Sequence, residues 1–255
     1  MGNVNTELGY SATAQISLND AAVRTLAGVA SGAISMQNLQ GKSSGPPVSG
    51  YIGWYDATSW STSTYIWTDK SGNGNHAQGY TPGGGIQLVA VTGNGSSKTV
   101  DAVRMVSTAG AYPYMQWPVG IVPSTYTLFH VCRYTGAAGG GSGRIIQGTS
   151  QNWLSGFWNN SINSFYHNGW VAYPAAGTTT NWRYSTDQNS LGRQNGVTYG
   201  TGNEGSPSYD RICVNNGPYG EPADCDIAEV IVYNTTLNSG QYASVEAYLT
   251  SKYGL

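Results

Sequence analysis

Beyond residue 50 the chain alternates short runs rich in Val, Ile, Tyr and Trp with turn signals spaced too closely for ordinary helices. The signals include Asp69-Lys70-Ser71-Gly72-Asn73-Gly74-Asn75, Gly83-Gly84-Gly85, Gly93-Asn94-Gly95, the stretch from Gly136 to Gly143, Asn168-Gly169 and Asn195-Gly196. Asn-Gly between aromatic or β-branched runs is the strongest short-range hairpin signal, because both residues accept the positive φ of a two-residue turn. The predicted strands are 51–55, 86–91, 102–106, 114–117, 126–134, 144–148, 153–158, 164–167, 181–185, 190–193, 211–214 and 226–233. About a dozen strands at this spacing build a sandwich or a barrel. Residues 126–134 are largely apolar on both alternating faces, which predicts a central strand.

Composition supports this and removes other classes. The 255 residues include 36 Gly, 19 Tyr and 8 Trp but only 3 Phe, a mix that favours strands and turns over long helices. Charged residues make up 9%, far below the usual level of about 25%. With 11 basic and 13 acidic residues the net charge is −2, which provides no footprint for nucleic acid. No stretch approaches the roughly 18 apolar residues that cross a bilayer, so no membrane insertion is expected. Residues 1–19 lack a basic segment followed by an apolar one, which argues against a secretory signal. Cys132, Cys213 and Cys225 leave two readings open, three free thiols or one Cys213–Cys225 bridge.

The first forty residues differ from the rest. Ser17 is placed to cap a helix over 18–27, with Leu18, Ala22 and Leu26 on one face and Gly28 as its stop. A second short helix follows within 31–41, capped by Ser35, with Met36 and Leu39 inward. Each is too short to stand alone in water. Leu18, Leu26, Met36 and Leu39 therefore predict an assembly surface within residues 1–43, and a homo-oligomer. Residues 44–50 form a Ser/Gly/Pro linker, and 51–255 form the main domain. That domain closes with a helix capped by Asn238 or Ser239, striped by Tyr242, Val245 and Leu249, and stopped at Gly254.

Two stretches carry a resemblance. One is Trp54-Tyr55-Asp56-Ala57 followed by Trp67-Thr68-Asp69-Lys70-Ser71-Gly72-Asn73-Gly74-Asn75-His76-Ala77. The other is Asp226-Ile227-Ala228-Glu229-Val230-Ile231-Val232-Tyr233-Asn234 with the closing helix. Together they resemble the opening and closing elements of concanavalin A-like (laminin-G-like) jelly-roll domains. The resemblance implies an all-β jelly-roll β-sandwich with a small helical N-terminal segment and a C-terminal helix. That fold hosts lectins, glycanases and adhesion modules, so it implies no single function. Thr6-Glu7-Leu8-Gly9, Ile16-Ser17-Leu18-Asn19-Asp20, Gly32-Ala33-Ile34-Ser35-Met36 and Gly41-Lys42-Ser43 resemble a short module of bacteriophage and large-virus tail, fibre and other virion proteins. This implies a virion component anchored through residues 1–43 to other virion proteins.

Candidate sites follow from residue chemistry. Trp153, Trp158, Tyr166, Trp170 and Trp182 fall in one aromatic-rich stretch. Sugar rings stack their C–H faces on such side chains while polar neighbours take the hydroxyls, so these five form the expected ligand-binding set. The competing reading is core, because alternation sends half of them inward. Asp224, Asp226 and Glu229 resemble the acidic strand of jelly-roll endoglucanases, but Glu229 is offset by an odd number and joins the others only through a bulge. Asp224 and Asp226, with Glu221, also form a candidate calcium site, as do Asp69, Asn73 and Asn75, whose simpler role is a turn. No other cofactor is called for, and His76, His130 and His167 show no metal spacing.

The expected function is a virion structural protein, in a tail, a fibre or a capsid surface. It would display a lectin-like domain that binds host-surface glycans or decorates the particle, and it would not be an enzyme. The expected location is the particle surface, after synthesis in the host cytoplasm. The alternatives are a glycan-degrading hydrolase on the same scaffold and a structural subunit without ligand.

Overall fold

The computed structural model describes Val23 and residues 45–81, 85–108, 111–136, 141–202, 205 and 211–255. Apart from Val23, the predicted helices over 18–27 and 31–41 lie outside the described residues, and so do Leu18, Leu26, Met36 and Leu39. The chain divides into two units, Met1–Ser49 and Gly50–Leu255. All sixteen strands found among the described residues belong to the second.

Two antiparallel sheets form a β-sandwich. Sheet A runs β14 (Val197–Gly200), β13 (Leu191–Gln194), β12 (Arg183–Gln188), β7 (Thr127–Tyr134), β16 (Cys225–Tyr233), β5 (Thr99–Val106) and β4 (Gly85–Thr92). The first strand, β1 (Tyr51–Asp56), also pairs with β16. β5 takes the first half of β16 and β1 the second, while β7 lies along its whole length. Sheet B runs β11 (Trp170–Ala172), β10 (Ser161–His167), β9 (Trp153–Trp158), β8 (Ile146–Gly148), β15 (Ile212–Val214), β6 (Tyr114–Gln116), β3 (Ala77–Tyr80) and β2 (Ile66–Trp67).

The sequence accounts for these elements. β7 is buried at every position between β12 and β16, as its two apolar faces predict. Asn195 and Gly196 take φ of 48° and 76° and close the hairpin from Gln194 to Val197, the mirror-image turn that Asn-Gly favours. The closing helix, α1 (Ser239–Tyr253), has a reciprocal capping box between Asn238 and Gln241 and a left-handed stop at Gly254, so both ends meet their backbone hydrogen-bonding needs. Most of the space between the sheets is filled by large side chains, including Trp67, Trp117, Tyr134 and Phe157. Cys132, Cys213 and Cys225 are buried and none of the three is joined in a disulfide.

Towards β9–β13 the interior turns polar. His130, Ser155, His167, Ser185, Asp187 and Gln194 are each no more than 1% exposed. Burial of such groups is tolerated only when they are paired. His130 Nε2 lies 3.0 Å from Ser155 Oγ, and Gln194 Nε2 donates to Ser185 Oγ at 3.1 Å. Tyr126 donates its hydroxyl to Asp187 at 2.9 Å and accepts from Trp153 Nε1 at 3.2 Å. His167 Nε2 lies 3.1 Å from Asp187. Burial lowers both imidazoles' basicity, but the two end up differently. At His167 the charge and hydrogen bond of Asp187 outweigh burial and raise its pKa. At His130 burial wins and the pKa falls to about 4.

A pH dependence follows. His130 falls below its ordinary 6.5 on folding, so the unfolded chain takes up the proton first. Its contribution is complete above pH 6.5 and is lost as pH falls to about 4, by roughly 3 kcal/mol. His167, shifted upward, contributes fully below 6.5 and fades as pH rises through its folded value. Urea unfolding of the wild type and of His130→Gln should therefore converge in stability between pH 6.5 and 4. A constant difference across that window would refute the assignment.

Candidate functional site

The acidic triplet lies in sheet A. β16 carries a bulge, because its register against β7 shifts between Ile227 and Glu229. Asp226 and Glu229 therefore both face away from the core, while Ile227 and Val230 enter it. Asp224 accepts the Ser107 backbone N–H at 2.8 Å. Asp226 accepts from Arg104 Nε at 2.7 Å and Nη2 at 2.9 Å, and from Arg133 Nε at 2.8 Å. Glu229 Oε1 accepts from Trp54 Nε1 at 2.7 Å and the Tyr248 hydroxyl at 2.9 Å. Its Oε2 accepts from the Tyr253 hydroxyl at 2.7 Å and Lys252 Nζ at 3.0 Å. The triplet is at most 2% exposed.

These contacts decide two readings of the triplet. The bulge does join Glu229 to the face of Asp226, but both carboxylates are spent on protein donors, which leaves no acid–base pair open to a substrate. The calcium site at Asp224 and Asp226 also fails, because two guanidinium groups occupy the oxygens of Asp226. Among the described residues no cluster of three His, Cys, Asp or Glu side chains is placed to hold a metal ion. Asp69 organises its loop, accepting the backbone N–H groups of Trp54, Ser71 and Asn75 at 3.0, 2.8 and 3.0 Å. Beside Asp226 lies a groove of about 530 Å³, lined by Gly85, Gln87, Arg104, Val106, Thr108, Arg133 and Thr135. Both of its arginines are paired with Asp226.

The five expected ligand-binding aromatics divide. Trp153 is 1% exposed and stacks on His167 at 5.6 Å. Trp182 is also 1% exposed, with the Arg133 guanidinium 5.4 Å from its ring centroid. Both are interior side chains, and their place in the ligand set is corrected on that ground. Trp158, Tyr166 and Trp170 are half-buried and meet at one end of sheet B. Trp170 lies 5.4 Å from Trp158 and 5.0 Å, edge-on, from Tyr166. Tyr173 stacks on Trp170 at 5.5 Å and is 73% exposed.

Polar groups border this platform. Trp158 Nε1 donates to Glu221 Oε1 at 3.0 Å, and Arg144 Nε donates to Glu221 Oε2. Arg144 Nη1 reaches Asn152 Oδ1 at 2.9 Å, and its guanidinium lies 4.4 Å from the ring centroid of Tyr219. Aromatic faces beside fixed hydrogen-bonding groups suit a ligand with one apolar side and several hydroxyls. Sequence reasoning omits Arg144 and Tyr219, which come from distant turns and carry no local signal, and offers Glu221 only as a calcium ligand. Tyr173 belongs to the same aromatic-rich stretch of sequence and lies just past β11, where strand alternation no longer applies.

No protein-family model matches this sequence, and comparison with curated proteins finds no match. The fold does match solved structures. Domain 4 of AbnA, a GH43 extracellular arabinanase from Geobacillus stearothermophilus solved with arabinotriose, aligns with a TM-score of 0.52 at 12% identity, covering 77% of this chain and 98% of that domain. Trypanosoma rangeli sialidase with sialic acid aligns at 0.55 and 14%, covering 88% of this chain and 36% of that one. The binding domain of botulinum neurotoxin DC, solved with SialylT, aligns at 0.52 and 11%, covering 79% and 52%. At these identities the likeness concerns the fold, a β-sandwich as expected. It also corrects the expectation that the chain is not an enzyme. Sialidase chains and a domain of an arabinanase contain this fold, so the fold gives no ground for setting catalysis aside.

Two stability contrasts test this geometry. Glu229→Ala removes the acceptor shared by Trp54, Tyr248, Tyr253 and Lys252 and should cost about 3–5 kcal/mol in denaturant unfolding. Trp153→Ala should cost about as much through cavity formation, whereas Tyr173→Ala should leave the melting temperature within about a degree of wild type.

Proposed function

We propose that the body formed by residues 51–255 is a glycan-binding module and that Trp158, Tyr166, Trp170 and Tyr173 form its contact surface. One observation carries this reading. Tyr173 is 73% exposed and lies over Trp170, which packs against Trp158, whose indole N–H donates to Glu221 of the Glu221–Arg144–Asn152 hydrogen-bonded series. A sugar ring laid on the tyrosine face would find carboxylate, guanidinium and amide groups at its rim. The Arg144–Glu221 pair is neutral as a unit, so the surface selects by shape and hydrogen bonding. The matched structures solved with arabinotriose, sialic acid and SialylT support the class of ligand.

We further propose that the whole protein is a virion component. In this reading residues 1–43 bind other virion proteins and form a homo-oligomer through Leu18, Leu26, Met36 and Leu39. The glycan-binding body then sits at the particle surface and engages host glycans. The N-terminal resemblance and the Pro-Pro linker support this arrangement. An oligomer would raise a weak single-site affinity by avidity.

A glycan array probed with the full chain tests the reading. Binding should be detectable, and Trp170→Ala and Tyr173→Ala should each weaken it about tenfold or more, Tyr173→Ala without lowering the melting temperature. An array with no hit, or hits indifferent to both substitutions, would refute it.

A further inference from the structure

The platform occupies only one end of sheet B's outer face. Towards the other end, on β6 and β3, Tyr114 and Tyr80 are directly opposed partners. Their rings stack at 4.6 Å with an interplanar angle of 16°, and Tyr80 is 39% exposed. The registers place both groups on one face. Tyr166 pairs with Leu154, Leu154 with Gln147, Gln147 with Cys213, Cys213 with Gln116, and Gln116 with Gln78. These six residues form one straight rung across the sheet. Alternate positions on the same strands, including Ala77, Met115, Ile146 and Ile212, enter the core, so the rung and everything an even step from it point outward. Tyr80 and Tyr114 stand two residues from the rung, and Trp158 stands four residues from it. Following the antiparallel pairing from strand to strand puts them on the same side.

The middle of the face is roofed. Leu154, Gln147 and Cys213 are at most 2% exposed, and Gly217 lies so close to Gln147 that an added Cβ would meet its Oε1. The turn containing Gly217 also carries Tyr219, 45% exposed over Arg144. Aromatic faces therefore occur at both ends and in the centre. Four strand intervals separate β10 from β6, or about 19 Å at the usual spacing of about 4.8 Å. One sugar ring covers only one of these positions, whereas an extended chain of several units covers them all.

We infer that Tyr80 and Tyr114 form a second ring-stacking station, and that the ligand is an oligosaccharide chain lying across sheet B rather than a single terminal sugar. This rests on the glycan-binding reading above. No net charge arises from Arg144, which is paired with Glu221, so the inference is directed at neutral chains.

Calorimetry on the full chain, with disaccharides and hexasaccharides of the arabino-, cello-, malto- and chito- series, tests it. In at least one series the hexasaccharide should bind about tenfold or more tightly than the disaccharide. Tyr80→Ala should abolish that gain and leave disaccharide affinity unchanged, and Tyr80→Phe should retain it. Tyr173→Ala should weaken both lengths. Equal affinity for the two lengths, or a length gain indifferent to Tyr80→Ala, would overturn the second station while leaving the platform intact. Silence in all four series would overturn the inference and count against the glycan reading itself.

Discussion

A carboxylate with no exposed surface, surrounded by four donors, holds the first and last elements of the sandwich together. Glu229 receives Trp54 from β1 and Tyr248, Lys252 and Tyr253 from α1. Lys252 also reaches Asp56, as does Lys70, and the Lys70 ammonium lies 4.2 Å from the centroid of the Trp54 ring. A charge so deeply buried is sustained only by complete satisfaction, which makes the arrangement specific as well as costly to break. Burial and the nearby Glu229 charge raise the pKa of both tyrosines, so they remain neutral donors throughout the physiological range. The bulge in β16 is what turns Glu229 towards these partners. Without it, the odd spacing from Asp226 would send the side chain into the apolar core.

The two outer faces of the sandwich serve different ends. Sheet A's is partly covered by α1 and tied by ion pairs, including the one between Arg193 and Glu246, and its acidic residues act as structural acceptors. Sheet B's has aromatic rings with polar neighbours. The polar interior between β7, β12 and β9 adds a third character. It fixes the packing of that end through hydrogen bonds such as His130 to Ser155 and Tyr126 to Asp187, at the cost of sensitivity to acid.

Much of the fold was legible. Apolar residues on both faces of 126–134 marked the central strand. Asn195-Gly196 marked a hairpin, and Asn238 with Gln241 and Gly254 bounded the helix. β2, β3, β11 and β14 were not legible. They are two to four residues long, and β3 includes Gln78 and Gly79, so each exists because a neighbour supplies a hydrogen-bonding edge rather than through its own preference. In the site, alternation separates Trp153 from Trp158, five residues on, onto opposite faces. It does not say which faces inward, and that depends on tertiary pairing. Asp226 and Glu229 had the residue types of a catalytic pair, yet their partners Arg104, Arg133 and Trp54 are brought in from distant strands.

The placement of β1 has a consequence for the two ends of the body. The body is entered through a strand of sheet A, and its final helix rests on that same sheet. The first strand and the final helix therefore belong to one layer, and the aromatic platform to the other. One buried carboxylate thus ties both ends of the sandwich into a single layer.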